Sequence, residues 1–120
     1  MLRVCVDLDG TICELASNGD YASVRPQPGA QQALREMKRR GAYIIIYTAR
    51  RMRTHRGDVA KVVEDVGDLT RTWLREHDIP YDELVFGKPY AHAYIDDLAY
   101  RFDGWFGLPR RILKEFEVPA

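Results

Sequence analysis

Runs of apolar residues alternate along the chain with stretches in which apolar positions recur every third or fourth residue. Leu2, Val4, Cys5, Val6 and Leu8 form a short β-branched run that predicts a buried strand. Ala30, Ala33, Leu34 and Met37 follow at helical spacing, after Pro28 and before Gly41, and predict a helix. Ala42 to Tyr47 is continuous and apolar, as a strand covered on both faces should be. A second helical pattern runs from Val59 through Val62, Val63, Val66, Leu69, Trp73 and Leu74 to His77 and ends before Pro80. Short strands are then expected at Glu83 to Phe86 and at Ala93 to Ile95, with a last helix through Ile112, Leu113 and Phe116.

Strands that alternate with helices imply right-handed parallel crossovers, so the strand ends should share one sheet edge. The expected fold is α/β and Rossmann-like: a small parallel sheet with helices on both faces, in one domain over residues 1–120. Ligand crevices of such sheets lie outside the carboxyl ends of the strands. That rule gives meaning to an otherwise odd feature. The first strand ends in two carboxylates, Asp7 and Asp9, where unpaired charge would be costly to bury. Two acids one residue apart at that place call for a cation or a phosphorylated substrate. The bland alternative is a polar strand end followed by an Asp-Gly turn.

Three further signals fall after predicted strands: Thr48-Ala49-Arg50, Gly87-Lys88-Pro89, and Asp96-Asp97. Between the first two lies an arginine-rich loop, about residues 50–58, whose Arg50 and Arg53 can offer bidentate contacts to phosphate or carboxylate. Asn18-Gly19 centres a turn-rich flap, about residues 13–27, with Tyr21 placed to touch a ligand.

Taken in order, D-L-D-G-T, Y-T-A-R, G-K-P and Y-I-D-D resemble the four motifs of the haloacid dehalogenase (HAD) superfamily, and within it small phosphatases of capsule or polysaccharide biosynthesis. The resemblance implies a Mg²⁺-dependent phosphomonoesterase working through an aspartyl-phosphate. Asp7 would be nucleophile, Asp9 general acid and base, Thr48 a phosphoryl ligand and Lys88 a neutralising cation. Mg²⁺ would be held by Asp7, the Asp9 backbone, Asp96 and Asp97. Gly10, Thr11, Ala49, Arg50 and Arg53 would contact substrate, a phosphorylated sugar or related metabolite. The gaps between motifs hold no cap domain, so the site should be open, and oligomerisation is expected as a means of closing it. Rival readings are a phosphatase for nucleic-acid ends or phosphoprotein, and a non-catalytic phospholigand-binding protein.

Composition narrows the partners. Eighteen basic and eighteen acidic residues cancel, which argues against a nucleic-acid or membrane surface. No apolar run is long enough to span a bilayer, and the amino terminus shows no signal-peptide pattern. Cys5 and Cys13 lack metal-ligand spacing, and free thiols fit a reducing cytoplasm.

Overall fold

The computed structural model describes residues 1–119. It is a small α/β unit of three strands and three helices. β1 (Arg3–Asp7), β2 (Tyr43–Thr48) and β3 (Glu83–Phe86) form a parallel sheet in the order β1-β2-β3. α1 (Ala30–Arg39) joins β1 to β2, α2 (Val59–Glu76) joins β2 to β3, and α3 (Leu108–Glu115) closes the described chain. No cap domain is inserted among the described residues.

The sheet buries one face. Val6, Ile46 and Leu84 stand in register across it, as do Thr48 and Phe86, and Val6, Ile44, Ile46, Thr48 and Phe86 are all buried. α1 contributes Ala30, Ala33, Leu34 and Met37 to that layer; α2 contributes Val62, Val66, Trp73 and Leu74. Strands laid down consecutively in one direction, each joined by a right-handed crossover, must put both helices on the same side. A side chain of α1 accordingly reaches the end of α2: Gln31 Nε2 donates to the carbonyl of His77, the residue that caps it, at 3.1 Å. The expectation of helices on both faces is corrected here. The opposite face, with Cys5, Ile45, Tyr47 and Val85, is only partly covered. α3 packs beside α1 rather than on the sheet.

Local rules explain most boundaries. Asp58 caps α2 by accepting from Lys61 N, and Gly41, at φ 92, turns the chain out of α1 into β2. Asp82 prolongs β3 along β2: its backbone N donates to the Ile44 carbonyl and its carboxylate accepts from Ile44 N, both at 2.8 Å. Lys38 Nζ lies 2.6 Å from that carboxylate, so this basic end of α1 clamps the sheet instead of facing only solvent. The flap is no regular hairpin. One antiparallel bridge, Cys13 to Pro26, closes its base, and its tip turns at Asn18-Gly19.

The expected strand over 93–95 does not form. Residues 87–104 carry no helix or strand, and Ile95 and Leu98 are 102% and 80% exposed. β1 therefore has no neighbour on its outer edge among the described residues.

Candidate active site

A cleft of about 340 Å³ opens at the carboxyl edge of the sheet, lined by Asp7, Asp9, Ala49, Arg50 and Lys88 together with Leu15, Ala16, Tyr21, Tyr90, Ala91 and Tyr94. A larger groove, about 930 Å³, runs between α1 and α3 and holds none of the predicted residues. Chemistry, not size, makes the smaller one the candidate.

The two acids are set apart by a tight loop. After Asp7 the chain turns so sharply that the N–H groups of Thr11, Ile12 and Cys13 all point at the Leu8 carbonyl, at 3.2, 2.9 and 3.1 Å. Gly10 takes φ 86 at the turn, where a side chain would be strained. Asp7 and Asp9 consequently meet different cations. Lys88 Nζ lies 3.1 Å from Asp7 Oδ1, and Thr11 Oγ1 donates to Asp7 Oδ2 at 3.4 Å. Lys88 reaches there because its own N–H donates to the Thr48 carbonyl, continuing the β2–β3 ladder by one step. The ammonium of Lys88 rests over the Tyr94 ring, 4.3 Å from its centre.

Asp9 belongs to Arg50. The guanidinium Nε lies 3.1 and 3.0 Å from the two Asp9 oxygens, Nη1 donates to Thr70 Oγ1 at 2.9 Å, and Tyr21 covers the plane 4.3 Å away. Arg50 is 3% exposed. Arg50 was expected to contact substrate; its Nε and Nη1 are directed at Asp9 and Thr70, an arrangement that positions Asp9. Thr48, expected to bind a phosphoryl oxygen, is turned the same way. It is fully buried, its hydroxyl donates to Asp9 Oδ2 at 3.3 Å and accepts from Arg50 N at 3.1 Å, so it supports Asp9 instead of facing the cleft. These donors hold Asp9 in place.

Other predicted residues divide. Ala49 lines the cleft, whereas Gly10 and Thr11 do not, their N–H groups being used within the turn. Arg53 stays outside the cleft and exposed, over the ring of Tyr90. Arg51 and His55 are tied to Asp65 of α2, at 3.6 and 2.9 Å, which explains the turn-rich 50–58 loop without a ligand. Asp96 and Asp97 are exposed and away from the cleft lining; Asp96 Oδ1 accepts from Leu98 N. Among the described residues no group of three or more His, Cys, Asp and Glu side chains is gathered to hold a metal. The donor set for Mg²⁺ is thus incomplete within one chain, with Asp7 and Asp9 both already paired to cations.

Sequence reasoning passed over Thr70, Tyr90 and Tyr94. Thr70 carried a signal: it is a hydroxyl on the apolar stripe of α2, between Val66 and Trp73–Leu74. Cys13 lies behind Asp9 and Arg50, and burial, with the Asp9 charge second, pushes its thiol up to about 12.

No family model matches the chain, and no curated protein does. Among solved structures, the crystal structure of an MCSG target from Vibrio cholerae is 40% identical over 84% of this chain and 84% of that one, with a TM-score of 0.79. The chain belongs to the family of that Vibrio cholerae protein. Beyond the family, a chain of the Pnkp1/Rnl/Hen1 RNA repair complex is 20% identical, covers 99% of this chain and 32% of that one, and has a TM-score of 0.53, a likeness of fold alone. The D,D-heptose 1.7-bisphosphate phosphatase from B. bronchiseptica, complexed with magnesium and phosphate, is 17% identical over 98% of this chain and 65% of that one; its TM-score of 0.49 is too low to bear on fold or chemistry. No helix among the described residues is long and apolar enough to cross a membrane.

Proposed function

We propose that the chain is a HAD-type phosphatase, hydrolysing a phosphate monoester through an aspartyl-phosphate on Asp7. The observation that supports this most is the 3.1 Å contact between Lys88 Nζ and Asp7 Oδ1 in an open cleft, made by residues eighty-one positions apart. A carboxylate is repelled by a phosphate dianion, and an ammonium beside it offsets that repulsion at the attacking oxygen. Asp7 attacks phosphorus, the ester P–O bond breaks, and the leaving oxygen takes a proton from Asp9. Water then cleaves the acyl phosphate, losing a proton to Asp9. Splitting hydrolysis this way replaces one difficult displacement with two easier ones. Arg50 and Thr48 keep the Asp9 oxygens oriented for that proton transfer.

The substrate we propose is a phosphorylated sugar or similar metabolite of polysaccharide biosynthesis. A cleft of about 340 Å³ lined by Tyr21, Tyr90 and Tyr94 suits a small molecule. The arginine loop weighs against a nucleic-acid end, since Arg50 is buried and Arg51 is paired with Asp65. Mg²⁺ dependence follows from the motif resemblance and needs carboxylates beyond those one chain gathers at the cleft. Release of phosphate from p-nitrophenyl phosphate and a panel of sugar phosphates, with and without Mg²⁺, tests the proposal. Turnover by the wild type and none by Asp7→Asn is expected; equal turnover by both would overturn it.

A further inference from the structure

The chain has two tryptophans, Trp73 and Trp105, and both are buried. A buried indole brings apolar area and a single N–H that needs an acceptor. Each finds a backbone carbonyl: Trp73 Nε1 donates to Val24 at 2.9 Å, and Trp105 Nε1 donates to Thr11 at 2.8 Å. The two bonds are alike in kind and differ in address. Val24 lies in the returning limb of the flap, whereas Thr11 belongs to the turn that sets Asp7 and Asp9 apart.

Most carbonyls of that turn are held locally. Leu8 accepts from the N–H groups of Thr11, Ile12 and Cys13, and Cys13 accepts from Gly10 N. Gln27 serves two more, through its N–H to Ile12 at 2.8 Å and its Nε2 to Gly10 at 3.4 Å. Trp105 stands apart: among the described residues it is the one donor to a carbonyl of this turn from beyond residue 27, and it comes from 94 positions away. Its own seat is well packed. The indole lies against Phe102 with ring centres 5.3 Å apart, a β-carbon on Gly29 would sit 3.4 Å from Trp105 Cβ, and the Trp105 carbonyl accepts from Leu108 N at the start of α3. Thr11 then passes the constraint on, because its Oγ1 donates to Asp7 Oδ2 at 3.4 Å.

We infer that Trp105 is a positioning residue for Asp7: its indole N–H fixes the backbone of Thr11, and through Thr11 the Asp7 carboxylate, without touching substrate. Trp105 is no part of the cleft lining. The inference rests on the proposed phosphatase reading for what Asp7 does, and on geometry alone for the chain of hydrogen bonds. Attack on phosphorus demands a well-placed oxygen, so a small rotation of the carboxylate is felt in the rate. A buried carbonyl that loses its donor is costly and is relieved by moving towards another partner. At Thr11 that movement would turn the residue whose hydroxyl holds Asp7.

The test sets the two tryptophans against each other in the full chain. Trp105→Phe and Trp73→Phe each keep an aromatic ring and delete one buried indole hydrogen bond. With p-nitrophenyl phosphate, Trp105→Phe should lower kcat about tenfold with KM little changed, and Trp73→Phe should leave kcat as in the wild type. An unchanged kcat in Trp105→Phe, or an equal loss in both variants, would overturn the inference and leave Trp105 a core residue like its counterpart. Should Trp105→Phe not fold, spectra of the ¹⁵N-labelled indoles decide. The two tryptophans give two N–H cross-peaks, assigned with Trp73→Phe. Asp7→Asn should move the Trp105 peak and leave the Trp73 peak in place; two unmoved peaks, or two that move alike, would refute the link. If the wild type releases no phosphate from any substrate, the phosphatase reading fails, and the Trp105 peak in Asp7→Asn still decides whether the indole is coupled to Asp7.

Discussion

Arg50 Nε lies between the two carboxylate oxygens of Asp9, at 3.1 and 3.0 Å, with the rest of the guanidinium sealed under Tyr21 and against Thr70. A buried charge of this kind is tolerable only while its partner is present. The Asp9–Arg50 pair therefore makes Asp9 structural as well as chemical, which sets it apart from Asp7.

That difference predicts opposite stability phenotypes. Asp9→Ala strands the guanidinium and should lower unfolding stability by about 3 kcal/mol. Asp7→Asn touches a partly exposed pair and should change stability by less than about 1 kcal/mol. Both should lose turnover. Urea melts alongside phosphate-release assays separate the two; equal midpoints for Asp9→Ala and wild type would contradict the coupling.

Arg50→Lys keeps the charge but loses the planar fork that reaches Asp9 and Thr70 together. A misplaced Asp9 should reduce kcat by about 10²-fold, with KM changed little because the Arg50 guanidinium is turned onto Asp9 and Thr70. A rise in KM at constant kcat would instead return Arg50 to a substrate-binding role.

Thiol chemistry should divide the cysteines. Cys13 is buried with its thiol pushed up to about 12, so almost no thiolate is present at neutral pH. Ellman's reagent should leave it untouched in the native protein and modify it once denaturant is added. Mass spectrometry after native labelling would show any exception.

Asp82 predicts an acid-dependent clamp. The Lys38 ammonium, then the Ile44 N–H, hold its carboxyl below the usual range. A lowered native value adds stability above the unfolded value of about 3.9, and that contribution disappears as pH falls through the native one. Asp82→Ala should therefore be less stable than wild type at pH 7, the gap narrowing below about pH 4. A constant gap in thermal melts from pH 7 to pH 3 would refute the linkage.

Much of this arrangement was legible beforehand because the signals were local. Val4 to Asp9, Ala42 to Thr48 and the valine stripe of α2 each carry their own periodicity, and alternation alone brings strand ends to one edge. Asp7 and Lys88 accordingly meet. What escaped were relations that depend on handedness and reach. Both crossovers advance in one direction, so α1 and α2 share a face; no single element's pattern reveals that. The apolar triplet at 93–95 looks like a strand by composition, yet pairing in parallel needs a longer connection than residues 87–92 supply. Arg50 and Thr48 were readable as polar groups at a strand end, but not as partners of Asp9, because that depends on how tightly the chain turns after Leu8.

The tip of the flap has a consequence for how this family can diversify. A β-carbon on Gly19 would sit 2.8 Å from Arg51 Nη2, and the residue holds φ 72. An apex of this sort is ordinarily the most permissive spot in a domain for altered length or composition. Here the backbone is left-handed and the tip of the Arg51 side chain lies against it, so a replacement is strained by its φ and obliges the guanidinium to swing aside. New selectivity is more easily acquired at Leu15 and Ala16, on the flap's near limb, where side chains can change without unseating its crown.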